Sequence, residues 1–263
     1  MANRRHFLAA AGGIGLASAC RLEGARASDG GAEARDLYEL RRYSVADERQ
    51  KQGLDAFLRD AALPAWNRIG IAPVGVFYPE KELSPVYVLL RHRSAETVIA
   101  GTQKLLADAE FLAKGAPLLN APAGQPAFAR MESALLLAFK GMPVLDTPVK
   151  SAGRVFQLRT YESPSVKTGQ KKIEMFNDAG EIAIFHHVGL HPVFFGESLV
   201  GAKMPNLTYM LVFESVDEMQ ANWKKFIGDP GWKALSKKTE YSDKAILSGI
   251  TNLVLKPAEY SQI

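Results

Sequence analysis

The chain has 263 residues, 32 basic against 28 acidic side chains, and one cysteine. A lone cysteine excludes a disulfide framework and a thiolate zinc cluster. The small positive excess has no clustered basic face, which argues against nucleic-acid binding, and no stretch is apolar over the ~20 residues that a membrane helix needs.

The N-terminus opens Asn3-Arg4-Arg5-His6-Phe7-Leu8 and runs into small apolar residues from Ala9 to Ala19. A charged start, a short apolar run and small residues before a cut predict an export signal over residues 1–27. The paired arginines resemble a twin-arginine signal, so the expected location is periplasmic or otherwise extracytoplasmic. Two processing sites compete: Ala25-Arg26-Ala27 fits soluble release before Ser28, whereas Ala17-Ser18-Ala19-Cys20 is a degenerate lipidation box that would anchor the protein through Cys20. Removing residues 1–27 takes away four arginines and one glutamate and leaves the remainder close to neutral.

Residues 28–35 are polar and predict an unstructured stub. Residues 36–43 alternate in polarity and predict a strand. Leu54, Phe57, Leu58, Ala61, Ala65, Trp66 and Ile69 recur at helical spacing, with Pro64 expected to kink or break the helix near Leu63. Strands are predicted over 73–78 and 86–91, then a helix from an N-cap at Ser94 to about Ala107, a Pro/Gly-rich loop from Ala116 to Ala127, and a strand from Glu132 to Phe139. Residues 140–153, with Pro143, Pro148 and Gly153, read as a linker. Beyond it come strands at 154–161, 192–196, 207–213 and 249–255, and helices at about 168–187 and 215–227, the latter opened by Ser215 and Glu218 at capping-box spacing.

The second half repeats the first. Leu37-Tyr38-Glu39-Leu40-Arg41-Arg42-Tyr43 returns about 118 residues later as Val155-Phe156-Gln157-Leu158-Arg159-Thr160-Tyr161, and Ile69-Gly70-Ile71-Ala72-Pro73-Val74 returns as Val188-Gly189-Leu190-His191-Pro192-Val193. Residues 36–139 and 154–256 each give the order βαββαβ, the ferredoxin-like pattern. Such a sheet carries helices on one face and leaves the other bare. Duplication supplies the missing partner, so the expected fold class is α+β: tandem ferredoxin-like repeats packing sheet to sheet as an intramolecular dimeric α+β barrel.

The aromatic-x-Leu-Arg-x-Tyr opening strand, its repeat, and the segment Leu207-Thr208-Tyr209-Met210-Leu211-Val212-Phe213-Glu214-Ser215 resemble the NIPSNAP family over nearly all of residues 36–256. The resemblance implies the dimeric α+β barrel superfamily, which includes cofactor-free monooxygenases, lactone isomerases and haem-binding enzymes. It implies a fold rather than a reaction.

Two groups of residues are candidates for chemistry. Side chains alternate along a strand. If the helices cover the apolar side, Glu39, Arg41, Tyr43, Gln157, Arg159 and Tyr161 face the space between the two sheets. Two enclosed guanidiniums need partners. Either Glu39 and Gln157 satisfy them as a structural network, or Arg41, Tyr43, Arg159, Glu39 and Gln157 bind a small anionic or carbonyl-bearing ligand with Tyr161 as proton donor. The second group is His186-His187 with His191. A histidine suits a general base, so His186 and His187 are catalytic candidates, but Gly189 and Pro192 end the helix there and C-terminal capping is the competing reading. His92, between Arg91 and Arg93, reads as solvated, and Trp66, Trp223 and Trp232 read as packing. No metal spacing, dinucleotide fingerprint, Walker loop or nucleophile elbow is present. No cofactor is expected, with haem the minority alternative.

Three functions compete: a small-molecule enzyme of oxidoreductase or isomerase type, a binding module without turnover, and a scaffold that associates with itself or other partners. A hollow between the sheets favours the first two, and an interior filled with side chains favours the scaffold.

Overall fold

The computed structural model describes residues 34–263. The expected export signal and Cys20 lie outside the described residues. Eight strands close into one antiparallel barrel: β1 (Leu37–Ser44), β2 (Val74–Pro79), β3 (Val86–His92), β4 (Arg130–Ala138), β5 (Val155–Glu162), β6 (His191–Val200), β7 (Asn206–Phe213) and β8 (Gly249–Pro257). Around the barrel their order is β1-β3-β2-β8-β5-β7-β6-β4. Each half is therefore a ferredoxin-like sheet, β4-β1-β3-β2 and β8-β5-β7-β6, joined edge to edge through β2–β8 and β4–β6. Closure leaves neither half a free edge.

The helices of the first half are α1 (Glu48–Phe57), α2 (Leu63–Arg68), α3 (Ala95–Leu106) and α4 (Ala109–Leu119). In the second they are α5 (Val166–Asn177), α6 (Glu181–His187), α7 (Val216–Gly228), α8 (Pro230–Ser236) and the short α9 (Asp243–Ile246). Pro64 does not break its helix. A π-turn at Leu58–Ala62 joins α1 to α2, with the Leu63 N–H donating to the Leu58 carbonyl, so Pro64 falls in the first turn of α2. A proline is tolerated there because its missing N–H is not needed.

The predicted loop from Ala116 is also corrected. α4 runs to Leu119 through Pro117, and it starts at Asp108, whose side chain accepts from the Phe111 N–H. In the second half Asp229 caps α8 in the same way through the Trp232 N–H. The single helix expected over 168–187 is two helices, because Gly180 takes a φ of 96° between them, a left-handed conformation that favours glycine. The repeated glycines, Gly70 and Gly189, have φ of 85° and 81° and terminate α2 and α6. Past each of them, Ile71 N–H reaches back to the Trp66 carbonyl and Leu190 N–H to the Phe185 carbonyl, both at 2.9 Å. This is the Schellman arrangement. The second sequence repeat is thus a helix stop followed by a strand.

Strand alternation sorts the core into layers. Tyr38, Leu40, Phe77, Leu89, Phe156, Leu158, Met210 and Leu255 point into the barrel and form one apolar cluster drawn from both halves. Leu145 and Val149 of the linker and Ile263 join it. The opposite faces carry Tyr43, Val76 and Val88 against α1, α2 and α4, and Tyr161, Tyr209 and Phe213 against α5, α6 and α7. The barrel is filled with side chains, as expected for eight strands.

The face assignment made from the sequence is therefore inverted. Glu39, Arg41, Tyr43, Gln157, Arg159 and Tyr161 lie between sheet and helices, not between the two sheets. The lumen is filled mainly by apolar side chains, whereas the sheet–helix layer supplies indole and phenol rings for the guanidiniums.

The seam between halves depends on Gly196, which pairs with Ala138 across β4–β6. A methyl group there would lie 2.8 Å from Leu136 Cβ, an atom fixed to the backbone. We expect Gly196→Ala to lower unfolding stability by about 1–3 kcal/mol. Gly53→Ala, on an open face of α1, should be neutral or stabilising by up to about 1 kcal/mol. Urea titration of both variants measures the contrast.

Candidate functional site

Arg41 and Arg159 occupy equivalent positions on the first strand of each repeat. Arg41 pairs with Val88 and Ser133, and Arg159 with Tyr209 and Asn252. Directly paired residues share a face, so each arginine is the centre of a row running under the helices. The two rows differ in how they meet the charge.

In the first half the charge is closed internally. Arg41 Nε and Nη2 donate to the Glu39 carboxylate at 2.7 and 3.1 Å, and Ser133 Oγ donates to it at 2.8 Å. The Trp66 ring lies 5.4 Å from Arg41 Cζ. His92 is not solvated: it is 2% exposed, because β3 continues through it on the helix-facing side. Its Nε2 is 3.4 Å from Glu39 Oε2 and its Nδ1 is 3.1 Å from Thr97 Oγ1. Burial pushes the Glu39 carboxyl up, but the contacts from His92, Arg41 and Ser133 outweigh it and hold the pKa at about 2. This half is a structural network.

In the second half the residue two before the arginine is Gln157, which brings no charge. Its Oε1 accepts from Trp223 Nε1 at 2.6 Å. Arg159 lies over Trp223 and Tyr161, with Cζ 4.6 and 5.4 Å from the ring centroids. Among the described residues it forms no ion pair, and its buried Nε has no hydrogen-bond partner. Burial opposes its charge, yet Tyr209, Tyr161 and Glu181 hold its pKa above the ordinary value. Tyr161 and Tyr209 share a hydrogen bond of 2.9 Å between their hydroxyls. Burial raises the pKa of both phenols, so both are neutral.

A second cation lies beside this row. Lys172 of α5 donates to Glu181 of α6 at 3.1 Å, with side chains 2% and 3% exposed. Its Nζ is ringed by Tyr161, Phe176 and Trp232 at 5.5, 5.0 and 5.8 Å, and Asp243 Oδ1 is 4.0 Å away. Burial raises the Glu181 carboxyl pKa, against the pull of Lys172. Lys172 and Glu181 were not singled out from the sequence. The available signal was Lys172 on the same helical face as Met175 and Phe176, the buried stripe of α5.

These groups bound a cavity of about 360 Å³ between β5, β8 and α5–α8, with Arg159, Tyr161, Lys172, Trp223, Trp232 and Ile250 on its walls. The structure thus brings Gln157, Arg159 and Tyr161 together and leaves Glu39, Arg41 and Tyr43 in the other repeat. His186 and His187 are exposed at the end of α6 and do not line the cavity. His187, 77% exposed, has Nε2 3.8 Å from the Asp229 cap of α8. A larger hollow of about 430 Å³ lies by α1 and the C-terminal residues, but Asp55 on its wall already accepts from Tyr78 and Tyr260. Among the described residues no cluster of His, Cys, Asp and Glu could hold a metal ion, and no helix is long and apolar enough to cross a membrane.

Residues 156–262 match the NIPSNAP family. No curated protein matches the chain. Among solved structures, a candidate monooxygenase from Lactobacillus acidophilus NCFM aligns at a TM-score of 0.57 and 10% identity, over 85% of this chain and 94% of its own. A protein of the same description from Fusobacterium nucleatum aligns at 0.56 and 8% identity, over 86% and 93%. A NIPSNAP family protein from Agrobacterium tumefaciens is 19% identical over 42% of this chain and 98% of its own, at a TM-score of 0.38. The two longer alignments establish the two-repeat fold alone, since identity near 10% carries no chemistry.

Because Glu39 has a depressed pKa, its contribution to stability is complete above the unfolded carboxyl value near 4.5 and is lost as pH falls towards 2. We expect Glu39→Gln to cost about 3 kcal/mol at pH 7, the conversion of that shift. The gap from the unsubstituted chain should narrow below about pH 4.5, as read by urea unfolding at stepped pH. The match to the NIPSNAP family over residues 156–262 thus falls on the second repeat.

Proposed function

We propose that the second repeat binds a small anionic or carbonyl-bearing molecule in the cavity under α5–α8, with Arg159 as its counter-charge and Tyr161 as a hydrogen-bond donor. The observation that carries this reading is the exchange of Glu39 for Gln157 at equivalent positions. One arginine is neutralised by its own strand, and the other keeps its charge and an unused buried N–H at a cavity wall. A buried donor left unpaired costs about 1–3 kcal/mol, and more when charged. A carboxylate or phosphate oxygen in the cavity would pair with the guanidinium charge. His186 and His187 take no part in this reading, and a proton, where one is transferred, comes from Tyr161. The filled barrel supports a second reading, a non-catalytic scaffold in which the cavity stays empty.

The substitution that separates them is Gln157→Glu, which writes the first-half solution into the second half. Benzoate and inorganic phosphate are the probes. At 100 times its Kd a bound probe stabilises the fold by about 2.7 kcal/mol, read as a rise of a few degrees in Tm. We expect this rise in the unsubstituted chain and its loss in both Arg159→Gln and Gln157→Glu, with Gln157→Glu still unfolding cooperatively. An equal response in all three, or none in any, leaves the scaffold.

We also propose export of the chain through residues 1–27. N-terminal sequencing of protein made in a bacterium with a twin-arginine pathway should give a start at Ser28 or a lipidated Cys20. An intact Met1 would end this proposal.

A further inference from the structure

The cavity is not uniformly polar, and its polarity has a direction. Arg159 lies at the sheet, on the floor. Above it the walls are the faces of Trp223 and Trp232. At the rim stand Ile227 of α7 and Ile250 of β8, 64% and 51% exposed. These two side chains carry the apolar lining of the cavity out towards solvent. The charges are also sorted along this axis. Lys172 is held by Glu181, both nearly fully buried, and the exposed charge among the lining residues is Asp243. Asp243 is 59% exposed and lies at the rim. One anionic head is favoured on the floor, and a second anionic group at the mouth would meet a like charge.

Resting on the binding reading above, we infer that the ligand is an amphiphilic monocarboxylate. Its head lies on Arg159, and its hydrocarbon chain runs along the indole faces and leaves between Ile227 and Ile250. About 360 Å³ holds roughly a dozen groups of water size at ~30 Å³ each. That corresponds to a chain of about eight to ten carbons with its carboxylate. A short polar acid would leave the indoles and the rim uncovered.

The test is titration of the full chain with acetate, butanoate, hexanoate, octanoate and octanedioate, followed by calorimetry and by the emission of Trp223 and Trp232. Each buried methylene should tighten Kd roughly fourfold, so octanoate should bind on the order of a hundredfold more tightly than butanoate. Octanedioate, of equal length, should bind at least about tenfold more weakly than octanoate. Exchanging both rim residues, Ile227→Asn with Ile250→Asn, should flatten the chain-length dependence. Both side chains are solvent-exposed, so this variant keeps the core intact. Arg159→Gln should remove the preference for octanoate over octanol.

If all the acids bind alike and only Arg159→Gln weakens them, the amphiphile is wrong and a small polar anion remains. If octanedioate matches octanoate, the directional charge argument fails. If no acid binds, or Arg159→Gln changes nothing, the binding reading beneath this inference falls as well.

Discussion

An eight-stranded barrel has an interior just wide enough to be filled by the side chains it encloses. That limit governs where everything else in this protein goes. Tyr38, Leu40, Phe156 and Leu158 fill the lumen, and the guanidiniums on the same face, Arg42 and Arg91, stand at the strand ends, each paired with a carboxylate, because an unpaired charge in the core is very costly. Strand alternation then leaves no freedom. If 38 and 40 point inward, 39, 41 and 43 must face the helices, and the same holds for 157, 159 and 161. The polar stripe is displaced outward, into a layer whose margins are open to water. Any site built from these residues lies under the helices.

Within that layer the two repeats take opposite courses from nearly the same strand. A carboxylate two residues before the arginine sits on the same face, within reach of a bidentate pair, and the first half uses it. At an effective dielectric near 20, opposite charges about 4 Å apart attract by about 4 kcal/mol. Glu39 and Arg41 are closer than that and share further donors. Gln157 cannot supply this, and its oxygen is turned to Trp223 instead. The indole and phenol rings around Arg159 offset part of the loss through their faces, but a ring face accepts no directed N–H bond. The second half also carries Lys172 and Glu181, a pair buried on all sides. Such a pair adds little net stability, because the cost of desolvating both ions offsets their attraction. Its consequence is local: Lys172 is spoken for, and Arg159 is left as the cation that faces the cavity without a carboxylate.

Much of the fold could be read from residue order. The doubled opening strand, the doubled helix stop at Gly70 and Gly189, and the capping serines give the element sequence of both repeats, and the bare face of each sheet gives the closure. The Ser215 cap holds, with its side chain accepting from the Glu218 N–H, while the Glu218 carboxylate accepts from Glu214 rather than from the cap residue itself. Three things could not be read that way. A π-turn absorbs Pro64 at a cost that composition does not show. The helix opened by Asp229 has seven residues, too few for its periodicity to stand out, and the one opened by Asp108 runs through Gly115 and Pro117, which read as loop. The inward and outward faces of β1 and β5 were exchanged, because β7 is buried on both sides from Asn206 to Phe213. In a sheet covered on both faces, apolarity alone does not say which face is the barrel. The candidate residues were legible by type and spacing, and their surroundings were not.

Duplication explains why a cavity can persist in one repeat without weakening the whole. The lumen is shared, so the apolar cluster that ties the halves together is built from both. The two helix layers are independent of each other, each packed on its own sheet. A change in one, such as a glutamine in place of a glutamate, costs what it costs locally and leaves the seams β2–β8 and β4–β6 untouched. One repeat can hold the fold with a closed ion pair while the other keeps an unsatisfied arginine under its helices. A single ferredoxin-like sheet has no second layer to take the first of those roles.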